Sequence, residues 1–182
     1  MANKIDAEIA FEDETGVGVS TRHGRTWGER GTTPKVSATD QRGGYNVLST
    51  VSVEGKMHYS VTGEHINSQR FIAFLKQLIR GRTRPLILVL DRASFHGSKP
   101  VRDFVRAHRN QIRVFFLPRH SPEYNPDEQV WNEIKVNQIG KQPVKNKLDL
   151  KSRLYSALAS LQRKAQRIHS FFQLPDTQYA TA

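Results

Sequence analysis

Four acids in this chain stand where a fold could bring them together, and their meeting would define a chemistry. Asp91 ends the apolar run Leu86–Leu90 in "LILVLDRASFHGS". A short continuous run with branched residues suits a strand buried on both faces. An acid at the carboxyl end of such a strand either starts a turn or serves as a ligand, because open α/β sheets carry their sites just outside those ends. Asp13 closes "IDAEIAFED", in which Ile5, Ala7, Ile9, Phe11 and Asp13 share one face and Asp6, Glu8, Ala10, Glu12 and Glu14 the other. Asp13 thus emerges on the apolar face of its strand. Asp127 and Glu128 lie side by side after the loop "PRHSPEYN".

Three carboxylates converging in an otherwise basic protein would repel one another, and the natural remedy is a hard divalent cation on oxygen ligands, Mg²⁺ first and Mn²⁺ second. Two such ions about 3.5–4 Å apart cut and join phosphodiesters. The third ligand is ambiguous. Helical spacing puts Asp127 in register with Val130, Trp131 and Ile134, and Glu128 at the edge of that stripe beside Trp131, Asn132 and Lys135. Asn125 followed three residues later by Glu128 also resembles a capping box, which would occupy the glutamate with a backbone N–H. Spacing alone leaves the choice open.

The elements that must position these acids follow from periodicity. A strand over Ile5 to Asp13 precedes a short second strand, "VGVS", and then a basic, Gly-containing loop or hairpin, "TRHGRTWGERGTTPKVS". "YNVLSTVSVEGKMHYSVTG" gives two strands turning at Glu54-Gly55. Asn67 to Arg80 is an amphipathic helix with Phe71, Phe74, Leu75 and Leu78 inward. Strand 86–90, a helix from about Lys99 to His108 and the buried strand "IRVFFLP" form a βαβ unit, so its strands should be parallel. A helix opens near Asn125 and Pro126. Leu154, Leu158, Leu161, Ala165, Ile168 and Phe172 mark one final helix over about 148–172. Together these predict a single α/β domain across 1–182, a mixed central sheet with helices on both faces.

Composition bounds the partners. Lys+Arg number 28 against 17 Asp+Glu, a net charge of +11, and such an excess is the usual footprint of nucleic-acid binding. The absence of cysteine removes disulfides, thiol catalysis and Cys-based zinc sites. No apolar run spans a bilayer and "MANKIDAEIAFEDE" lacks a signal-peptide pattern, so no membrane partner and a cytoplasmic, nucleoid-associated location are expected. No Gly-rich loop has phosphate-cradling spacing, which leaves nucleotide hydrolysis without support.

"FEDETG", "TWGERGTTP", "LVLDRASFHGS" and "LPRHSPEYNPDEQVWNEIK" together resemble the catalytic domain of mariner-superfamily transposases, specifically the bacterial insertion-sequence type with a DDE endonuclease domain. The resemblance runs from about residue 5 to 140. It implies a ribonuclease H-like fold, a metal triad of Asp13, Asp91 and Glu128, and two Mg²⁺ or Mn²⁺ ions serving DNA strand cleavage and strand transfer. The family's last acid follows an "SPxxNPxE" motif, matched here by Ser121, Pro122, Asn125, Pro126 and Glu128, and thirty-six residues separate Asp91 from Glu128. Two positions depart from the family pattern. Arg92 replaces the usual Asn, and Asp127 replaces an apolar residue, which keeps Asp127 as a substitute ligand.

The implied partners are transposon-end and target DNA, a second copy of the chain, and a separate DNA-recognition polypeptide, since the helix-turn-helix modules of such transposases are expected to be missing ahead of Asp13. Arg22, Arg25, Trp27, Arg30, Arg102, Arg106 and Arg109 are candidate DNA contacts, with stacking as the role of Trp27 and a solvated surface as the plain reading of the arginines. His96 either packs or supports Asp91 from behind. A stand-alone nuclease of the same fold and a non-catalytic DNA-binding remnant are the competing functions.

Overall fold

The computed structural model describes residues 6–20, 29–31, 42–141 and 143–181. Its five-stranded sheet has the order β3-β2-β1-β4-β5. β1 (Glu8–Gly18) is the central strand, antiparallel to β2 (Gly44–Ser52), which is antiparallel in turn to β3 (Met57–Thr62). On the other side, β1 is parallel to β4 (Leu86–Leu90), and β4 to β5 (Ile112–Phe116). The sheet is therefore mixed, as a hairpin run followed by a βαβ unit predicts.

Both faces of the sheet are covered. Ala10, Leu48, Leu86, Leu88 and Leu90 pack under α1 (Ser68–Ile79) and α2 (Lys99–Ala107). The periodicity of α1 holds: Phe71, Phe74, Leu75 and Leu78 are buried, and the Asn67 side chain accepts from the backbone N–H groups of Gln69 and Arg70. On the opposite face Phe11, Val17, Val47 and Val51 meet the helical C-terminal half. That half comprises α3 (Glu128–Trp131), continued by a π-helical stretch (Asn132–Gln138), then α4 (Lys147–Gln162) and α5 (Ala165–Ser170). This three-layer architecture is ribonuclease H-like.

Several expectations are corrected. β1 is one strand through Gly18, not two, because its far half pairs continuously with β2 from Glu14↔Leu48 to Gly18↔Gly44. β5 is an edge strand with Phe115 and Phe116 exposed rather than buried, since among the described residues no strand lies beyond it. An apolar run reports hydrophobicity, not the number of neighbours. The last helix is broken between α4 and α5, and Ala165, placed in the apolar stripe, is exposed. Lys164 leaves the helical conformation there, and the β2–β3 turn docks at the break: a Cβ on Gly55 (φ +77°) would stand 2.7 Å from the Ala165 carbonyl oxygen. Strand residues before Asp6 and most of the basic loop fall outside the described residues.

Candidate active site

Parallel pairing of β1 with β4 stops at Phe11↔Val89. Asp13 and Glu14 therefore overhang the end of β4, where Asp91 begins the next loop. One carboxylate oxygen each of Asp13, Glu14 and Asp91 lies within 4.8 Å of the others. An open cleft of about 420 Å³ passes this point, and Asp13, Asp91 and Glu128 all line it. Glu128 stands outside the tight group but on the same cleft wall.

Each acid is held differently. Asp13 is nearly buried and accepts a 2.9 Å hydrogen bond on Oδ2 from Trp131 Nε1. Burial, then the charges of Glu128, Glu12 and Glu14, push its pKa up to about 8. Asp91 is half-exposed, and its Oδ1 accepts from the Ala93 backbone N–H and from His96 Nδ1, both at 2.8 Å. The His96 hydrogen bond holds its pKa below the ordinary carboxylate value. Burial raises Glu128, Lys135 pulls it back and Asp91 adds repulsion. Lys135 projects from the π-helical stretch and bonds Thr15 Oγ1.

Asp127 has a different place. It is fully buried beneath β2, accepts a 2.7 Å hydrogen bond on Oδ2 from Ser49 Oγ, and does not line the cleft. Burial, then the Asp13 carboxylate, raise its pKa well above the ordinary value. The capping box does not form. The Asn125 backbone N–H donates to the Pro122 carbonyl at 2.9 Å. The Asn125 side chain instead ties β1 to the helix, donating to the Glu12 carbonyl at 3.0 Å and accepting from the Asp127 N–H at 3.1 Å. Glu128 is thereby free to face the cleft.

The donor set fits a hard cation. Three carboxylates border one cleft, Glu14 Oε2 is buried without a hydrogen bond, and the half-buried Lys135 lies close to Glu128. Such a site favours Mg²⁺ or Mn²⁺, and Asp13, Asp91 and Glu128, with Glu14 adjacent, could hold them.

Periodicity placed the acids but missed their supports. Trp131, placed by helical spacing on the inward stripe, is also the hydrogen-bond donor to Asp13. Glu12 and Glu14 showed no signal beyond their strand face. His96 is buried between Asp91 and Glu12, with Nε2 3.1 Å from Glu12 Oε2. Although burial works against charging it, the hydrogen bond to Asp91 and the close Glu12 carboxylate raise its pKa to about 10.

The candidate DNA contacts are scattered. Arg22, Arg25 and Trp27 lie outside the described residues, and Arg30 is exposed. Arg102, Arg106 and Arg109 are exposed on or just after α2, away from the cleft lining, with Arg102 donating to the Gly97 carbonyl at 2.6 Å. The basic groups on the cleft are Arg92, Arg119 and His120. Arg92 is anchored by a 3.2 Å bond from Nε to the Leu117 carbonyl, its guanidinium 5.6 Å from the Phe116 ring centroid. No described helix is long and apolar enough to cross a membrane.

The family model described as "DDE superfamily endonuclease" matches residues 8–151. Among curated proteins none matches the chain. Solved structures give likenesses at low identity. The Mos1 strand transfer complex matches with TM-score 0.59 at 17% identity, over 96% of this chain and 55% of that one. The Mos1 mariner paired end complex with Mn matches at 0.62 and 17%, over 94% and 56%. The catalytic domain of Mos1 mariner transposase matches at 0.57 and 15%, over 94% and 82%. The chain spans a little over half the length of the chains in the two complexes. At this identity the likeness is one of fold.

Proposed function

Because the chain belongs to the DDE superfamily endonucleases, we propose that it is the catalytic part of a bacterial insertion-sequence transposase of the mariner type, cutting DNA strands and joining element ends to target DNA. One observation carries this reading: Asp13 and Asp91, brought to one point by adjacent parallel strands, share a cleft with Glu128. The neighbours' names, a strand transfer complex and a paired end complex with Mn, agree with it.

Asp13, Asp91 and Glu128 would hold two Mg²⁺ or Mn²⁺ ions, whose chemistry is to acidify a nucleophile's hydroxyl and neutralise charge on the transferring phosphate. The chain's own residues prepare the rest. Trp131 fixes the Asp13 carboxylate, and His96 with Ala93 fixes that of Asp91. Lys135 favours the ionised form of Glu128. Arg92 and Arg119 offer positive charge along the cleft wall for the DNA backbone, with His120 beside them. Two displacements then share one site. Water attacks the phosphorus and the bridging 3′ oxygen leaves as a hydroxyl. That 3′-hydroxyl next attacks a target phosphorus and expels the target's 3′ oxygen. DNA ends and target are the proposed substrates, with a second copy of the chain and a separate recognition polypeptide as partners, in the cytoplasm at the nucleoid.

Labelled DNA incubated with Mg²⁺, with and without pre-cut element ends, tests the proposal. Nicking plus joined product is expected. Nicking that never yields joined product marks a stand-alone nuclease, and DNA binding without metal-dependent turnover marks a non-catalytic remnant. Full activity in chelator refutes the reading.

A further inference from the structure

His96 lies behind the cleft, its ring against Asp91 and its backbone N–H donating to the Ala93 carbonyl at 3.0 Å. It is 1% exposed, walled by the rings of Phe71 and Phe95 at centroid distances of 4.5 and 4.3 Å. A histidine that merely filled this space would need one carbonyl or hydroxyl to satisfy it. Here both ring nitrogens face carboxylates: Nδ1 at 2.8 Å from Asp91 Oδ1, Nε2 at 3.1 Å from Glu12 Oε2, with Glu14 Oε2 at 4.0 Å. Glu12 is wholly buried on the face of β1 opposite to Asp13.

The hydrogen bonds on Asp91 are lopsided. Oδ1 takes both the Ala93 N–H and His96 Nδ1, while among the described residues Oδ2 takes none. The carboxylate is thus turned so that one oxygen faces inward and the other is left for the cleft that Asp91 lines.

We propose that His96 and Glu12 are positioning residues: Glu12 orients the His96 ring, and His96 holds Asp91 Oδ1 so that Oδ2 alone is offered to a divalent cation. This rests on the metal-dependent reading above and extends it to two residues on the far side of the sheet. Removing a partner that orients a ligand in this way typically costs about 10–100-fold in metal affinity.

The two nitrogens can be separated by substitution. His96→Asn places its amide near Nδ1 and can still donate to Asp91. His96→Gln places its amide near Nε2, reaches Glu12 and abandons Asp91. Mn²⁺ affinity is read without DNA, from the electron paramagnetic resonance of free Mn²⁺, alongside the melting temperature. Expected is a rise in Kd of roughly tenfold or more for His96→Gln, the scale of losing an orienting partner, with His96→Asn close to the parent and both melting alike. Equal affinity in both variants, or an equal loss in both, overturns the proposal. If His96→Gln does not fold, Glu12→Gln takes its place: a weaker Mn²⁺ site is expected and an unchanged one refutes the role. Mn²⁺ binding that follows this pattern in a protein that fails to nick DNA would sink the proposed function but not the positioning. A parent protein whose Mn²⁺ binding ignores Asp13→Asn would overturn both.

Discussion

Exchanging Asp127 and Glu128, one at a time, for their amides separates two neighbours that sequence spacing treats alike. Asp127 is fully buried and accepts from Ser49 Oγ at 2.7 Å, and burial with the nearby Asp13 carboxylate raises its pKa well above the ordinary value. Asp127→Asn is isosteric and retains an oxygen for Ser49, so the change is at most one rearranged buried hydrogen bond, about 1 kcal/mol. Glu128 faces the cleft with a pKa raised by burial. Glu128→Gln removes charge from a crowded acidic site and should leave stability within about 1 kcal/mol, the scale of a helix-terminal side chain. The loss of a charged metal oxygen instead removes several kcal/mol of transition-state stabilisation, on the order of a thousandfold in rate. Nicking of labelled DNA in Mg²⁺, with melting temperatures measured in parallel, reads both quantities. Expected are a nearly active Asp127→Asn and a folded, inactive Glu128→Gln. An inactive Asp127→Asn beside an active Glu128→Gln would refute the assignment.

Three further outcomes follow from the same geometry. Asp13, held up to about 8, and Glu14, held up to about 7, keep protons that an unfolded chain releases near pH 4, so the folded state binds more protons across that window and stability falls as pH rises through it; melting in chelator should therefore drop between pH 6 and 8.5 and recover with Mg²⁺, and a flat profile would contradict the account. Trp131→Phe keeps the ring packing but removes the donor to buried Asp13, which should lower stability by about 1–3 kcal/mol at neutral pH and weaken Mn²⁺ binding, whereas unchanged metal affinity would show that the bond only fills the core. Arg119→Ala should weaken DNA binding uniformly across sequences and lower the salt slope by about one; a loss confined to one sequence would point to base reading instead.

How much was legible depends on what each residue's neighbours had to be. Asp91 was visible because Leu86–Leu90 is a continuous apolar run with a single acid at its end, and Asp13 because strand alternation put it in phase with Phe11. Both signals are local. The exposure of Phe115 and Phe116 was not legible, since an edge strand and a central strand share the same apolar composition. The break after Gln162 was hidden because the apolar period continues past it, and the Gly55 turn that packs against it lies more than a hundred residues earlier in the chain. Asp127 and Glu128 could not be told apart because a capping box and a 3₁₀ turn compete for the same Asn125 N–H, and the Pro122–Tyr124 turn wins. Sequence reading offered His96 either as packing or as a support for Asp91 and could not choose. Its role depends on Glu12 being covered by the α1–α2 layer, which alternation along β1 does not reveal.

The central claim is that Asp13, Asp91 and Glu128 hold divalent metal in one cleft. Crystals of the full chain soaked in Mn²⁺, with anomalous diffraction collected above and below the manganese edge, test it most directly. Anomalous peaks are expected in the cleft with an oxygen of each of these three acids in contact, and Asp127 still bonded to Ser49. Peaks that skip Glu128 in favour of Asp127, or that lie away from the cleft altogether, would contradict it.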